Sequence, residues 1–498
     1  MKKLFHTLAM AAVTMLIAAH PATASDSLSL KQVVEAVLAN HPDLALSRIK
    51  PRIAATEKIR IKGQLDTIIS GRSGFTEDQT PVSSAFSPSA SKFLQLQGSA
   101  SKPLASGGTL ALGADYTRTD LSFNSPLASQ IASINPAYRN QVDLSYRHPL
   151  LRGAGRPAYH QALAAAEADT DAAAMQLSIV SEQLALRALN LYYQLASNEI
   201  NVQLANDTVL RARELLAYQR HREEFGLIEA ADRLQAEALL ATRNMEHQRA
   251  RAILIQNRAE LNRLMLRDPD SPFLVVLDDD IEAGPGPTLA EAMQSAERHR
   301  PELRVQQLRL AAADARLAAA KDEQGMQLDV VASLGGRSLN DQAATALAQG
   351  FSLKDRFVAL GLEFSDTWGR HSAKSAVRKA ELEKQQILLE RAQSLERIKD
   401  ELTTALTALK TGTDTLDSAS RRAEAERRKF EAEIDRYRDG RSDTATIVQF
   451  EGDLRVAELA HAIEGISLRR AHHLLAWAEG TLLAGMDREG PGTGGTEP

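Results

Sequence analysis

A heptad repeat of leucines constrains this chain more than any other feature of its sequence. Between His371 and Asp439 leucine recurs at every seventh position, with no proline in the stretch: Leu388, Leu395, Leu402, Leu409 and Leu416. This spacing predicts one long coiled-coil helix. At about 1.5 Å per residue, these roughly 69 residues would extend for about 100 Å, several times the length of an ordinary globular helix. A single compact core has no need of such an element.

A second long helix is predicted from about Pro157 to Glu224. Its apolar heptad positions change phase once, and the two sets are Leu177, Leu184 and Leu191, then Leu195, Val202, Val209 and Leu216. A four-residue change of phase is a stutter, which turns the apolar seam toward a second neighbour. Both long helices end near a glycine, Gly226 or Gly440, after which another helical pattern begins. The sequence therefore predicts two long helical hairpins.

The segments that precede the two hairpins are also alike. Leu30 and Pro42 have the same spacing as Leu289 and Pro301, and each proline is followed by an acidic residue and a leucine. This match indicates an internal duplication. The boundaries that we predict are a first repeat at 25–270, a linker at 271–287, a second repeat at 288–485 and a disordered tail at 486–498.

The first 24 residues have the pattern of a secretory signal peptide, with Lys2 and Lys3 before an apolar run and small residues before Ser25. The apolar run of about 12 residues is shorter than the roughly 20 that a membrane-spanning helix needs. This length favours cleavage between Ala24 and Ser25 over a membrane anchor. We therefore expect an exported chain, which could cross a membrane only with β-strands.

Composition and motifs exclude several classes of function. The chain has no cysteine, which rules out disulfides and thiolate chemistry, and its net charge of -5 is spread along the helices rather than gathered into a nucleic-acid-binding stripe. His472 and His473 are adjacent on a helix and point about 100° apart, so they cannot chelate one ion together. The acidic run 278–280 with Glu282 could attract calcium, but the glycines and prolines after it favour a linker. We predict no catalytic residue, no metal site and no cofactor.

Segments with alternating apolar residues lie between the short and the long helices. The clearest alternation is at Val358, Leu360, Leu362 and Phe364; it recurs at Val142, Leu144 and Tyr146, and is weaker at Leu94, Leu96, Leu110, Leu112 and Tyr116. A period of two predicts strands. A soluble sheet would look the same locally, but in an exported chain the pattern favours a water-filled membrane barrel.

Four segments, taken in order, resemble the TolC-like outer-membrane efflux protein family. They are the paired openings at Leu30 and Leu289, the junction 146–153, the first helix tip at 225–237 and the second tip at 436–440. The resemblance runs from Leu30 to about Leu483. It implies a mainly α fold with a β-barrel portion, in which duplicated long antiparallel hairpins from three chains form a periplasmic tunnel capped by a shared outer-membrane β-barrel.

The function that the resemblance implies is that of the outer-membrane channel component of a tripartite efflux or type I secretion system. The homotrimer would sit in the outer membrane of a Gram-negative bacterium, extend into the periplasm, and passively conduct substrate from an inner-membrane pump and a periplasmic adaptor to the exterior. A periplasmic coiled-coil adaptor or structural protein without a pore is the open alternative. The two differ in whether the strands carry a lipid-facing belt.

The resemblance also implies four strands per chain, at about 65–75, 141–148, 327–337 and 356–365. An additional hairpin at Phe93 to Thr119 is expected to project above the membrane as an extracellular extension rather than join the wall.

At the two helix tips the resemblance implies a docking surface for the adaptor, made of Gly226, Leu227, Ile228, Gly440, Arg441 and Ser442. Asp232 and Asp443 are the candidates for an acidic tunnel aperture. The sequence departs from the pattern at Thr446, which occupies the place of Asp232 in the second tip, and at the second strand-to-helix junction, which lacks the proline present at Pro149.

Overall fold

The computed structural model describes residues 26–84, 86–131, 134–277, 286–352 and 354–488. The predicted signal peptide with its Ala24–Ser25 cleavage site, the acidic run 278–280 with Glu282, and residues 489–498 lie outside the described residues. The chain forms two compact units. The first contains residues up to Pro42, 181–296 and 401 onward, and the second contains 43–180 and 297–400.

Two pairs of long helices dominate the chain. The helices are α1 (Leu30–Asn40), α2 (Pro42–Lys62), α3 (Pro126–Ile131), α4 (Pro157–Glu224), α5 (Ala230–Leu264), α6 (Leu289–His299), α7 (Pro301–Glu323), α8 (Ala343–Phe351), α9 (His371–Arg438), α10 (Thr444–Ala478) and α11 (Leu482–Arg488). Both α4 and α9 have 68 residues, and both α5 and α10 have 35. The two predicted long helices are therefore confirmed, and α11 ends inside the predicted tail.

The proline of each repeated opening separates two helices. His41, before Pro42, has φ -60° and ψ 132°, and Arg300, before Pro301, has φ -68° and ψ 117°. A residue that precedes proline is disfavoured in the α conformation, whereas proline fits the first turn of a helix. The motif of proline, acid and leucine therefore ends one helix and starts the next.

In the first unit, strands β1 (Asp26–Leu28) and β6 (Phe273–Val275) form a small parallel sheet that the sequence did not suggest. The Tyr192 side chain, 1% exposed, donates its hydroxyl proton toward the carbonyl oxygens of Leu28 and Val276. Because a buried hydroxyl needs a partner, this tyrosine anchors the strands to α4.

An ion-pair network with a buried centre joins the four long helices within the same unit. Arg243 on α5 contacts Glu451 on α10 at 2.5 Å, and the two side chains are 7% and 4% exposed. Arg211 on α4 contacts the same carboxylate at 3.4 Å, and Arg427 on α9 contacts Glu458 of α10 at 2.9 Å. Burial lowers the pKa of Arg243, but the charge of Glu451 and hydrogen bonds to Glu451 and Glu246 outweigh it and raise this pKa overall.

The second unit contains one six-stranded antiparallel sheet. Its strands are β2 (Ile68–Asp78), β3 (Ala90–Pro103), β4 (Thr109–Ser122), β5 (Ala137–Pro149), β7 (Gln327–Asn340) and β8 (Arg356–Ser365), in the spatial order β2-β3-β4-β5-β7-β8. The four predicted strands are confirmed, and β8 has the predicted bounds.

The expectation that the additional hairpin projects away from the wall is wrong. β3 pairs with β2 from Ile68↔Ser101 to Asp78↔Ser91, and β4 pairs with β5 from Thr109↔Arg147 to Thr119↔Ala137. The hairpin therefore supplies the hydrogen-bond partners of both β2 and β5, which are not neighbours. The chain contributes six strands to this sheet instead of four.

Candidate functional site

The two faces of the six-stranded sheet have opposite chemistry. Directly opposite residues in antiparallel strands share a face, so the ladder assigns each side chain to one of them. Most of the large apolar side chains that are exposed on the strands lie on one face, namely Ile69, Phe75, Leu96, Leu110, Leu112, Leu144, Leu334, Val358, Leu360, Leu362 and Phe364, whereas Ile68, Phe93 and Leu339 lie on the other. Leu360 is 79% exposed. Such a continuous apolar surface is larger than scattered surface residues and is typical of a face that contacts a membrane or another protein.

The opposite face carries hydrogen-bonded polar side chains. Asp115 accepts hydrogen bonds from Gln95 and Gln97 at 3.0 and 2.8 Å. Arg147 donates to Asp329 at 2.9 Å and also to Glu363. These lateral bonds connect β3 with β4, and β5 with both β7 and β8, without covering the face, which suits contact with water.

The helix tips stop in the same way in both hairpins. Gly226 has φ +69° and Gly440 has φ +73°, the left-handed region that favours glycine. At the first tip the N–H of Gly226 donates to Glu223 O at 2.8 Å, and the N–H of Leu227 donates to Arg222 O at 2.9 Å. This pair of bonds is a Schellman stop.

The second tip repeats these bonds one hairpin later. The N–H of Gly440 donates to Tyr437 O at 3.0 Å, and the N–H of Arg441 donates to Arg436 O at 2.8 Å. The duplication therefore extends to individual backbone hydrogen bonds at the tips.

The tips do not expose all of the predicted docking residues equally. Leu227 is 65% exposed and Arg441 is exposed, whereas Ile228 and Ser442 are half-buried. The Ser442 hydroxyl donates to the Glu433 carboxylate, which turns it toward α9. Phe225, 67% exposed, belongs to the same surface but was not among the predicted residues.

Behind the tips lies a buried polar cluster that sequence reasoning missed. Gln219 of α4, with its side chain fully buried, donates its Nε2 protons to Thr444 Oγ1 at 2.5 Å and to the Tyr437 hydroxyl. Thr444 Oγ1 donates in turn to Asp232 Oδ1 at 2.8 Å. Burial raises the pKa of Tyr437. Asp232 is thus a bonded member of a cluster that links α4, α5, α9 and α10, and no local pattern could reveal it because its partners lie in the other repeat.

Asp443 caps α10. Its Oδ1 accepts a hydrogen bond from the Thr446 backbone N–H at 2.7 Å, the usual N-cap contact. That bond holds the pKa of Asp443 below its ordinary value. The carboxylate therefore stabilises the helix at neutral pH, and this contribution is lost as the pH falls below about 4 and through the lowered pKa.

We expect Asp443→Ala to destabilise the second tip by about 1 kcal/mol, while Asp443→Asn, which keeps an acceptor, changes stability by a few tenths. Thermal unfolding at pH 7 measures both, and the difference between wild type and Asp443→Ala should shrink below about pH 4. If Asp443→Asn destabilised the tip as strongly as Asp443→Ala, the negative charge and not the acceptor oxygen would be stabilising the helix.

Gly440→Ala should also destabilise the tip by about 1 kcal/mol, because alanine strains at a positive φ even though its Cβ would meet nothing within 4 Å. Gly485→Ala is the matched control, since Gly485 lies in α11, has open space around it and no positive φ. We expect that control to be neutral or slightly stabilising. Hydrogen exchange at residues 437–447 measures the destabilisation expected in Gly440→Ala. Protection equal to that of the wild type would show that alanine is not strained at this position.

No group of three or more histidines and carboxylates able to hold a metal ion is found among the described residues. Burial lowers the pKa of His472, and the ring of His473 lies 5.9 Å from that of Tyr193. Both histidines therefore belong to helix packing. No described helix has both the length and the hydrophobicity that crossing a membrane requires.

No family model and no curated protein matches this sequence. Solved structures do match its fold. The outer-membrane channel OprN is 19% identical, with a TM-score of 0.64 over 91% of this chain and 90% of that one. The outer membrane protein VceC of Vibrio cholerae is 14% identical, with a TM-score of 0.64 over 91% and 96%. The outer membrane channel CmeC of Campylobacter jejuni is 16% identical, with a TM-score of 0.61 over 91% and 86%.

Proposed function

We propose that this chain, which has the fold of these outer-membrane channels, is itself an outer-membrane channel of a Gram-negative bacterium. Three copies would conduct substrate passively from an inner-membrane pump and a periplasmic adaptor to the exterior, as part of a tripartite efflux or type I secretion system. The observation that carries the proposal is the sheet with one exposed apolar face and one polar face. A membrane channel needs lipid on the first and water on the second.

Exposed surfaces of the single chain support the assembly of several copies. β2 and β8 end the sheet with unpaired edges, and each unpaired backbone group in lipid costs several kcal/mol. On α2 the side chains of Leu46, Ile49 and Ile53 share one helix face and are 60%, 47% and 63% exposed. Copies packed around a common axis would cover both kinds of surface.

A periplasmic adaptor or structural protein without a pore is the alternative from another class. Long hairpins alone would serve it equally well, but the exposed apolar face of the sheet would have no use in water. The proposed channel also needs no catalytic residue, since the pump supplies the energy.

The test compares two neighbouring residues on opposite faces of β8. Leu360→Lys places a charge on the apolar face, where it should cost about 2–4 kcal/mol near the middle of the bilayer. Ala359→Lys places the same charge on the polar face, where it should leave assembly intact and shift ion selectivity. Outer-membrane yield and single-channel conductance of both variants measure the difference.

Channel formation requires that the purified wild type depend on detergent and conduct ions in a planar bilayer. Detergent-free solubility, no conductance and equal behaviour of the two lysine variants would favour the adaptor.

A further inference from the structure

We propose that the two free edges of the sheet pair with each other between copies of this chain in one defined register. In it Ile68 lies opposite Ser365 of the next copy, and Glu77 lies opposite Arg356. Three copies of six strands then close a wall of eighteen strands. The number three rests on the proposed function, whereas the register rests on the sheet alone.

The directions of the edge strands allow antiparallel closure. Every neighbouring pair in the order β2-β3-β4-β5-β7-β8 is antiparallel, so β8 runs opposite to β2. When the sheet curves round to the next copy, the two edges therefore meet as an ordinary antiparallel pair.

The apolar face must continue from one copy to the next, and this requirement excludes half of all registers. The ladder connects six residues on the apolar face, which are Ile69, Ala100, Leu112, Leu144, Leu334 and Val358. Odd-numbered residues of β2 and even-numbered residues of β8 therefore belong to this face. A register that set odd against odd would turn one strand inside out, placing Leu360 and Leu362 on the polar side.

Strand length favours one of the remaining registers. β2 spans Ile68–Asp78 and β8 spans Arg356–Ser365, so only the pairing of Ile68 with Ser365 engages every residue of β8 among the registers with matched faces. A slip of two residues in either direction leaves residues at an end of β8 without a partner in β2.

Side chains agree with that register. Arg356 makes no ion pair with a described residue of its own chain, whereas Glu77 contacts Lys92 at 3.2 Å and accepts a hydrogen bond from Gln79 Nε2 at 2.9 Å, both through Oε1. Opposite one another they would form an ion pair at the end of the apolar face, while the bulky Leu362 would lie against Gly71. The slip that moves Glu77 toward the middle of β8 would place its carboxylate against Val358.

The register also gives the strand tilt expected of a closed barrel. Directly opposite partners connect Gly71 on β2, strand by strand, with Arg356 on β8. In the proposed register Arg356 then pairs with Glu77 of the next copy. The position on β2 thus shifts from 71 to 77, which is six residues per copy. Six residues at about 3.3 Å across six strands at about 4.8 Å correspond to a tilt of about 35°. Barrels tilt by roughly 35–45°, so a shift of four residues, at about 25°, lies outside this range. A shift of eight, at about 43°, lies inside it and is disfavoured by strand length and by the contact of Glu77 with Val358.

An eighteen-stranded wall with this tilt has a backbone radius of about 17 Å, against about 11 Å for twelve strands. Barrels of 16–18 strands leave an open aqueous channel. The extra hairpin β3–β4 thus widens the pore instead of extending above it, and bulky or hydrated solutes are the class of cargo that such a pore admits.

Disulfide cross-linking tests the register, because the natural chain has no cysteine. In the proposed register Gly74 faces Ala359, and both lie on the polar face. Gly74→Cys with Ala359→Cys should oxidise to a covalent species of three chains. Gly74→Cys combined with Gly361→Cys, or with Phe357→Cys, would form a disulfide only if the register slipped by two residues. In the proposed register these pairs are diagonal, and their Cα atoms lie beyond about 7 Å, too far apart for a disulfide. Gly74 and Gly361 each have room for a Cβ.

Conductance of the same samples in planar bilayers separates the two proposals. Stronger cross-linking in the Gly361 or Phe357 pair would overturn the register, and a covalent species that stops at two chains or continues to four would overturn closure by three. Conducting protein without any of the three cross-links would overturn edge pairing and leave the channel in place. A cross-linked trimer that never conducts would support the register and overturn the proposed function.

Discussion

Glu451→Leu is expected to destabilise the four-helix region behind the tips by about 3 kcal/mol. The substitution leaves Arg243 buried without its main counter-ion, and breaking a buried pair from one side costs about 3–5 kcal/mol. The lower figure applies because Glu246 still contacts Arg243 at 3.0 Å. Native-state hydrogen exchange over residues 236–250 and 447–458 measures the local free energy of opening.

Two further variants separate charge burial from general packing loss. Arg243→Met combined with Glu451→Leu removes both charges and should recover most of the lost stability. Glu424→Leu is the exposed control on α9, since Glu424 contacts Arg428 in water, and it should change stability by less than about 1 kcal/mol. If the double variant were as unstable as Glu451→Leu, the loss of stability would come from lost packing and not from an unpaired buried charge.

Strong periodicity made the helices and one edge strand predictable from the sequence. The approximate bounds predicted for α4 from its heptads agree with the structure, and the alternation from Val358 to Phe364 lies inside β8, because heptads and strict alternation are local signals. The bounds of β8 came from the family resemblance. In β3 the stretch Gly98–Ser101 has only small residues, so alternation is faint and the hairpin could be mistaken for an extension. Which strands become neighbours is a non-local property, and no local pattern encodes it.

At the tips, too, the sequence revealed local features but not contacts between distant residues. Both glycines were found because a left-handed helix stop is a local requirement. Asp232 and Asp443 were read alike as aperture residues, yet one joins a buried cluster with Thr444 and the other caps α10. Partners such as Arg243 and Glu451 lie 208 residues apart, so their pairing had no signal in the sequence.

The tips have one backbone geometry but two surface chemistries. The first presents Phe225 and Leu227, whereas the second presents Arg441, which contacts Asp439 at 2.6 Å in an exposed ion pair. We propose that the adaptor docks here with an apolar contact at the first tip and a charged contact at the second. Exposed aromatic and leucine side chains at the end of a helical hairpin otherwise have no packing role.

Leu227→Asp with Arg441→Glu should abolish export while leaving the trimer and its conductance intact. The double variant places a charge in the apolar contact and reverses the charge in the other, and like charges across an interface cost several kcal/mol. Neither side chain is buried, so folding should be unaffected. Three measurements separate export, assembly and docking: an export assay, the amount of surface-exposed trimer, and cross-linking to the adaptor.

Arg421→Glu is the control. Arg421 is an exposed arginine of α9 away from the tip that pairs with Asp417 at 2.8 Å, and the variant should export normally. Full export by the double variant would remove the tips as the docking site, whereas loss in one single variant alone would assign docking to that tip.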